Sequence, residues 1–482
     1  MPRFSLIANW FTGIGRHTHG GAAPARRTNL AVETLEDRRL FSGGDIVVQW
    51  NELLLQSLAN QPARVPFARN MSIVHTAMFD AVNAIERSFE PYAAEVRASR
   101  GASAEAAAAQ AARDTLTALY PSRQAIFDVA LAGNLAEIPP GLANQGVAVG
   151  QEVARQILAL RANDGAAAIV TYTPPNTNPG QWQPTPPNFA AATNTHVSQI
   201  TPFAVESSEQ YRPGPPPALT SPEYALAFNE AKTLGIATNS TRTADQTLVA
   251  ELWRQPLVNH VVWNRVAQDM ATDANLGLAE SARLFALLDM AINDGLQTSN
   301  GSKFHYALWR PVTAIQRAAE DGNPATEADP TWRTLHPTTP PYPTYAGNAA
   351  TIGSASATVL AGVFGNDAIP FEVDWSRYGF AGVNRSYASF SAAANEMADS
   401  RIYGGIHFRF DNVAGQQIGQ NVAGHVMENY LEPRDIPSSL RPVSVEASMP
   451  LAPSGVTSLV SGHSTDTVLD QTDPGRNPGA SW

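Results

Sequence analysis

The chain has 482 residues, a formal net charge of -11 and a pI near 5.4, and no long run of Lys and Arg. This argues against a general nucleic-acid binder, because phosphate backbones are gathered by clustered cations. The absence of cysteine removes disulfides, thiolate metal sites and thiol nucleophiles together, and no apolar run reaches the roughly 18 residues that would mark a transmembrane helix.

Residues 1–44 are rich in Arg and Gly, lack hydrophobic periodicity, and lack the apolar centre of an ordinary signal peptide. Within them, VETLEDRRLFSGG (Val32 to Gly44) resembles the short LE-x-R-x-L-x-S tag near the start of exported proteins of planctomycete-type bacteria. Residues 1–44 are therefore read as a leader, and an exported, extracellular or cell-envelope location is expected.

From Asp45 the texture changes. IVVQWNELLLQSLANQ and VPFARNMSIVHTAMFDAVNAIERSF carry apolar residues at three- and four-residue spacings, the pattern of helices with one buried face. GASAEAAAAQAARDTLTALY and NQGVAVGQEVARQILALRAND read as two more helices, the first so rich in Ala that close packing is expected, with breaks at YPSRQ and EIPPG between them. From Thr171 to Pro222 the chain loads Pro, Asn and Thr into a long loop, of the kind that is functional or serves as a covering strap.

Helices resume at SPEYALAFNEAKTLG, where Ser221 suits the N-cap and Pro222 the first turn, and at TADQTLVAELWRQ, where Thr243 and Gln246 have the spacing of a capping box. Five further helical segments follow without a competing alternating strand run. The fold expected is all-α: paired helix bundles over residues 45–435 with long Pro-rich loops, then an irregular tail, residues 436–482.

The stretch SKFHYALWRPVTAI sets Lys303 and Arg310 seven apart, so one continuous helix would project both from nearly the same side among Phe304, Tyr306 and Trp309. Cations crowded into a partly dry place repel, and a bound anion is the usual remedy. Pro311 disfavours helix at Arg310, which places that residue at a helix end. The alternative is an exposed helix whose cations meet water. A second cluster, SRIYGGIH, separates Arg401 from His407 by a Gly404-Gly405 break that lets two helices aim both at one point. Asp411, one helical turn beyond His407, is placed to take the other ring nitrogen.

These residues resemble a known family. K-x6-R-P (Lys303, Arg310, Pro311) and S-R-x5-H (Ser400, Arg401, His407) are similar to the first and third signature motifs of the vanadium-dependent haloperoxidases, which share a fold with the type 2 phosphatidic acid phosphatases. WNELLLQSL, RNMSIVHTAMFDAVNAI, PTPPNF and HYALWRPVTAIQRA extend the likeness to the bacterial branch, over roughly Asp45 to Leu431. The resemblance implies vanadate, or phosphate in its place, held by Lys303, Arg310 and Arg401, with His407 as the vanadium ligand or as the nucleophile on phosphorus. It implies hydrogen peroxide and a halide as substrates of a haloperoxidase, or a phosphate ester for a phosphatase. Family members often form homodimers, so that assembly is open here too.

The middle motif departs from the family. P-S-G-H or P-S-N-H is expected after a Pro-rich approach; HPTTPPYPTY is followed instead by AGNAATIG. Without a gap, Ala346, Gly347, Asn348 and Ala349 stand where Pro, Ser, Gly and His would; with one deletion, Asn348 falls on the His. The acid-base imidazole, of a kind worth about 10² to 10⁴ in rate, is absent either way. Asn348 offers an amide that hydrogen-bonds but shuttles no proton, and the N–H of Gly347 or Asn348 at the following helix start is a candidate anion contact.

Elsewhere, His305 would point away from Lys303 on a helix, His336 is assigned to ordering the loop, and Ser461-Gly462-His463 lies in the tail. His75 and His425 are read as hydrogen-bonded core histidines, and Asp80, Asp289 and Asp294 as structural links. Three functions remain: a vanadate-dependent peroxidase favouring bromide or iodide, a phosphatase of the same fold, and a non-catalytic oxyanion-binding or scaffold descendant.

Overall fold

The computed structural model describes residues 45–58, 66–99, 101–254 and 256–434. The leader, the tail and His463 lie outside the described residues.

Thirteen helices occur among the described residues. They are α1 (Ile46–Leu58), α2 (Phe67–Glu86), α3 (Ala104–Leu119), α4 (Gln124–Ala136), α5 (Pro140–Arg161), α6 (Pro222–Leu234), α7 (Ala244–Leu252) and α8 (Pro256–Asp273), followed by α9 (Leu278–Tyr306), α10 (Pro311–Gln316), α11 (Asn348–Phe364), α12 (Phe390–Tyr403) and α13 (Arg409–Asn429). The capping signals act as the sequence suggests: the Ser221 hydroxyl accepts the Tyr224 N–H at 3.1 Å, and Thr243 and Gln246 bond reciprocally at 2.9 and 3.1 Å. Two features differ from expectation. AIFDVALAGNLA, between the two breaks and not assigned to a helix from sequence, forms α4 by burying Phe127, Ala130 and Asn134. A short antiparallel hairpin, β1 (Phe371–Asp374) with β2 (Asn384–Tyr387), pairs where four-residue strands leave too little alternation to register.

Two bundles result. In the first, α2 packs against α3, and the Ala-rich face of α3 meets α5; in the second, α11 packs against α12 and α13. Helix α9, 29 residues and roughly 43 Å long at the standard rise, packs against α2 of the first bundle and α11 and α13 of the second. Its Asp289 fixes α2 through His75 Nδ1 at 2.5 Å and α8 through Asn264 at 3.0 Å. His75 is thus a bonded core histidine, whereas His425 is half-buried against the rings of Tyr211 and Tyr430.

Asp294 of α9 accepts the backbone N–H groups of Phe203, Ala204 and Val205, and Asp80 those of Tyr92, Ala93 and Ala94. Asp294 thereby anchors the long Pro-rich segment as a strap. The strap continues to the end of α9, where Tyr306 and Tyr345 hydroxyls donate to Pro213 and Gly214 carbonyls, each at 2.7 Å.

In α13, a Cβ added at Gly415 would fall inside contact distance of the Gly347 carbonyl, so the α11–α13 crossing depends on a bare backbone there. Gly415→Ala should cost about 1–3 kcal/mol by overpacking, lowering the thermal midpoint by several degrees. An unchanged midpoint would show that the two helices do not meet there.

Candidate active site

Lys303 occupies the last turn of α9, which ends when Ala307 turns left-handed at φ 49°. Leu308 then pairs with the Pro-rich approach, its carbonyl accepting the Thr344 N–H at 3.0 Å. Arg310 is extended at φ -81°, ψ 156°, as the following proline requires, and precedes α10. Lys303 and Arg310 therefore do not share a continuous helix. The break at Ala307, rather than a seven-residue repeat, brings them together.

α12 ends at Tyr403, and Gly405 at φ +77° redirects the chain into α13. Arg401 from α12 and His407 ahead of α13 consequently lie in the same buried region as Lys303 and Arg310, with Lys303 and Arg310 0 % exposed, Arg401 6 % and His407 4 %. His407 Nδ1 bonds Asp411 Oδ2 at 2.9 Å, while Arg310 Nη1 reaches His407 Nε2 at 3.2 Å and the Ile406 carbonyl at 2.8 Å. The same Asp411 oxygen receives the Phe408 N–H at 2.9 Å and the Thr344 hydroxyl at 2.5 Å.

The donors are only partly used. Lys303 Nζ donates to the Thr344 carbonyl at 2.8 Å and to that of Ala346, leaving one of its three protons. Arg310 Nε takes the Tyr342 carbonyl at 2.8 Å, and its buried Nη2 has no protein partner. Arg401 Nη1 meets the Arg254 carbonyl at 3.3 Å; with the Asn259 amide oriented so that both ends are satisfied, Nη2 donates to it at 2.6 Å.

The middle segment supplies less than its position promised. The Gly347 N–H is committed to the Asp411 carbonyl at 2.8 Å, so it is not available to an anion. Asn348 begins α11 and its Oδ1 accepts the Ser299 hydroxyl at 2.7 Å, which leaves only the NH₂ end of the amide. Ala349 is buried and carries no polar group. His305 is exposed beside Arg212, 3.3 Å away, and so stands apart from the cage. His336 lies beside Arg401, with neither ring nitrogen partnered; burial, then Arg401, Arg254 and Arg242, push its pKa down to about 3. Thr344, which joins Asp411 to His407, was not singled out from sequence, although it stands in the Pro-rich approach that was.

Electrostatics follow from crowding. Burial first, then Arg310, pulls Lys303 well below its ordinary range; burial brings Arg310 and Arg401 down to about 10. His407 is held well below its usual value by burial and then by the three cations, so it is neutral, and its contact with Asp411 is a hydrogen bond from Nδ1–H rather than an ion pair. That tautomer presents the Nε2 lone pair to the cage. Burial raises Asp411 to about 6, leaving one carboxylate against Lys303, Arg310 and Arg401. The arrangement suits an anion that meets Lys303, Arg310 Nη2, Arg401 and His407 Nε2 together.

Because Asp411 titrates at about 6, it is ionised above that pH and neutral below it, so the cage gains net positive charge as pH falls. Sulfate carries no proton in this range. Its affinity, measured calorimetrically, should rise between about pH 7 and about pH 5, and in Asp411→Asn it should already be high at the upper pH. A wild-type affinity that falls on acidification would contradict this assignment.

Residues 283–435, which include every residue of this cage, match the VCPO second helical-bundle domain. Vanadium chloroperoxidase of Curvularia inaequalis is 28% identical over 184 residues, 32% of this chain and 29% of that protein, so the match spans less than a third of this relative's length. Among solved structures, the first bacterial vanadium-dependent iodoperoxidase superposes with a TM-score of 0.69 at 22% identity, covering 81% of this chain and 96% of that one. The holo-type bacterial vanadium-dependent chloroperoxidase gives 0.63 at 16% identity, covering 77% and 93%. The chain therefore has the helical fold of the vanadium-dependent haloperoxidases, and its residues 283–435 match their second helical-bundle domain.

Proposed function

We propose that the protein is an exported haloperoxidase that holds vanadate among Lys303, Arg310 and Arg401, with His407 Nε2 as the ligand to vanadium, and oxidises bromide or iodide with hydrogen peroxide. The observation that carries this reading is the unpartnered, fully buried Nη2 of Arg310 beside two further buried cations and a neutral histidine. The donor set fits the group: N–H donors for several oxyanion oxygens and one imidazole lone pair, on His407 Nε2, which without the anion accepts from Arg310 Nη1 at 3.2 Å. Vanadate so bound supplies the centre at which peroxide is activated for halide oxidation.

The protein's own contribution is to neutralise and orient. Arg310 and Lys303, both buried, meet charge in a dry site where each contact is worth more than in water. Asp411 and Thr344 fix the His407 ring, so that Nε2 and not Nδ1 faces the anion. The strap, through Pro213 and Gly214, holds Tyr306 and Tyr345 in place at this end of α9.

A phosphatase reading rests on the same tautomer, since Nε2 is equally suited to attack phosphorus. With Ala349 or Asn348 at the histidine position of the middle motif, the imidazole that would protonate an alkoxide leaving group is missing, so this reading confines hydrolysis to esters such as p-nitrophenyl phosphate that leave without protonation. The two activities are separated by assaying peroxide-dependent bromide and iodide oxidation in the presence of vanadate alongside p-nitrophenyl phosphate hydrolysis in its absence. Halide turnover is expected to dominate.

Arg401→Ala should lower vanadate affinity about 100-fold, as expected for loss of charge-assisted donors in a buried site, and abolish halide oxidation. Undiminished vanadate affinity in this variant would remove Arg401 from the cage and the proposal with it.

A further inference from the structure

Tyr342 stands at the cage and has no part in the reading above. It belongs to the segment Pro340-Pro341-Tyr342-Pro343 and is held there by Arg310 Nε, which donates to its carbonyl at 2.8 Å. Its ring packs on two of the three cations, with the centroid 5.4 Å from Lys303 Nζ and 5.0 Å from Arg310 Cζ. Its phenol oxygen lies within hydrogen-bonding reach of the Arg310 side chain, which leaves the O–H itself to donate, and it bears electrostatically on Arg401 as well. Tyr342 is half-buried where Lys303, Arg310, Arg401 and His407 are buried, so it lies on the outer side of the cluster.

The other hydroxyls near the cage are spoken for. The Thr344 hydroxyl donates to Asp411 and that of Ser299 to Asn348, while the Tyr345 and Tyr306 hydroxyls are bound to the strap. The guanidinium groups keep their protons throughout, and the Nδ1–H of His407 is tied to Asp411. Among the described residues that contact the cage cations, Tyr342 brings the O–H group with no acceptor in the protein.

The geometry points to Tyr342 as a fourth donor to the oxyanion: we propose that its Oη–H donates a hydrogen bond to a bound oxyanion oxygen, from the outer side of the cluster. This rests on reading the cage as an anion site, and it gives the anion a hydroxyl donor in a cage whose middle motif supplies no imidazole. The same O–H can break toward the anion oxygen, forming a new O–H bond there and leaving a phenolate that faces Lys303 and Arg310.

Tyr342→Phe keeps the ring on both cations and removes only Oη, so the fold is spared; Tyr342→Ala removes the ring as well. Phosphate and then vanadate are titrated calorimetrically into the full-length wild type and both variants, with thermal midpoints as the folding control. Tyr342→Phe is expected to weaken both anions about 10-fold, the loss typical of one hydrogen bond to a charged group, with its midpoint unchanged. Equal affinities in Tyr342→Phe and wild type would overturn the inference and leave the cage intact. A loss seen only in Tyr342→Ala would assign the effect to ring packing and overturn it likewise. No binding of either anion by the wild type would overturn the cage reading, and the fourth donor with it.

Discussion

Three cationic side chains buried around one neutral histidine, with a single carboxylate between them, form the constraint on which the rest of the site depends. Desolvation acts against all three charged forms, and the charge of Arg310 adds repulsion at Lys303 and Arg401, which is why all three are displaced downward from their ordinary ranges. A protein can relieve such crowding with carboxylates. Here Asp411 is set behind His407 and leaves the Nη2 group of Arg310 bare. On the proposed reading that relief comes from an anion from outside, which separates the cluster from a structural ion network whose charges are paired within the protein.

The architecture serves this crowding by stopping helices at chosen points. α9 carries Lys303 to its last turn and ends in a left-handed residue; α12 carries Arg401 to its last turn and ends at two glycines; α13 begins just past His407. Each cage residue is thus presented from a helix end, held by backbone contacts that a longer helix would have consumed. The Pro-rich approach fills the space between, its Thr344 and Ala346 carbonyls taking two Lys303 protons and its Thr344 hydroxyl completing the Asp411 interaction. The strap anchored on Asp294 reaches this end through Pro213 and Gly214.

Much of this was legible in the sequence because helix periodicity, caps and Gly breaks are local signals. Ser221, Thr243 and the Gly404-Gly405 interruption each act where their chemistry suggests, and the His407–Asp411 spacing of one turn carried its hydrogen bond. Tertiary context decides the rest. Pro311 marked Arg310 as a helix end, as found, but the left-handed turn at Ala307 that separates it from the helix of Lys303 is marked by no residue type. Gly347 has the helix-start position of an anion contact, but its N–H is bonded to a carbonyl 64 positions downstream in the chain, a partner only the fold supplies. Thr344 and Tyr342 went unnoticed because a hydroxyl in a Pro-rich loop has no pattern of its own; their roles arise only from the partners the fold brings to them.

The central claim, that the buried cations form an anion cage centred on His407, is tested most directly by a crystal structure of the protein soaked with vanadate. The account predicts vanadium at bonding distance from His407 Nε2, with its oxygens hydrogen-bonded to Lys303, Arg310 and Arg401. An empty cage at saturating vanadate, or vanadate bound only elsewhere on the molecule, would contradict it.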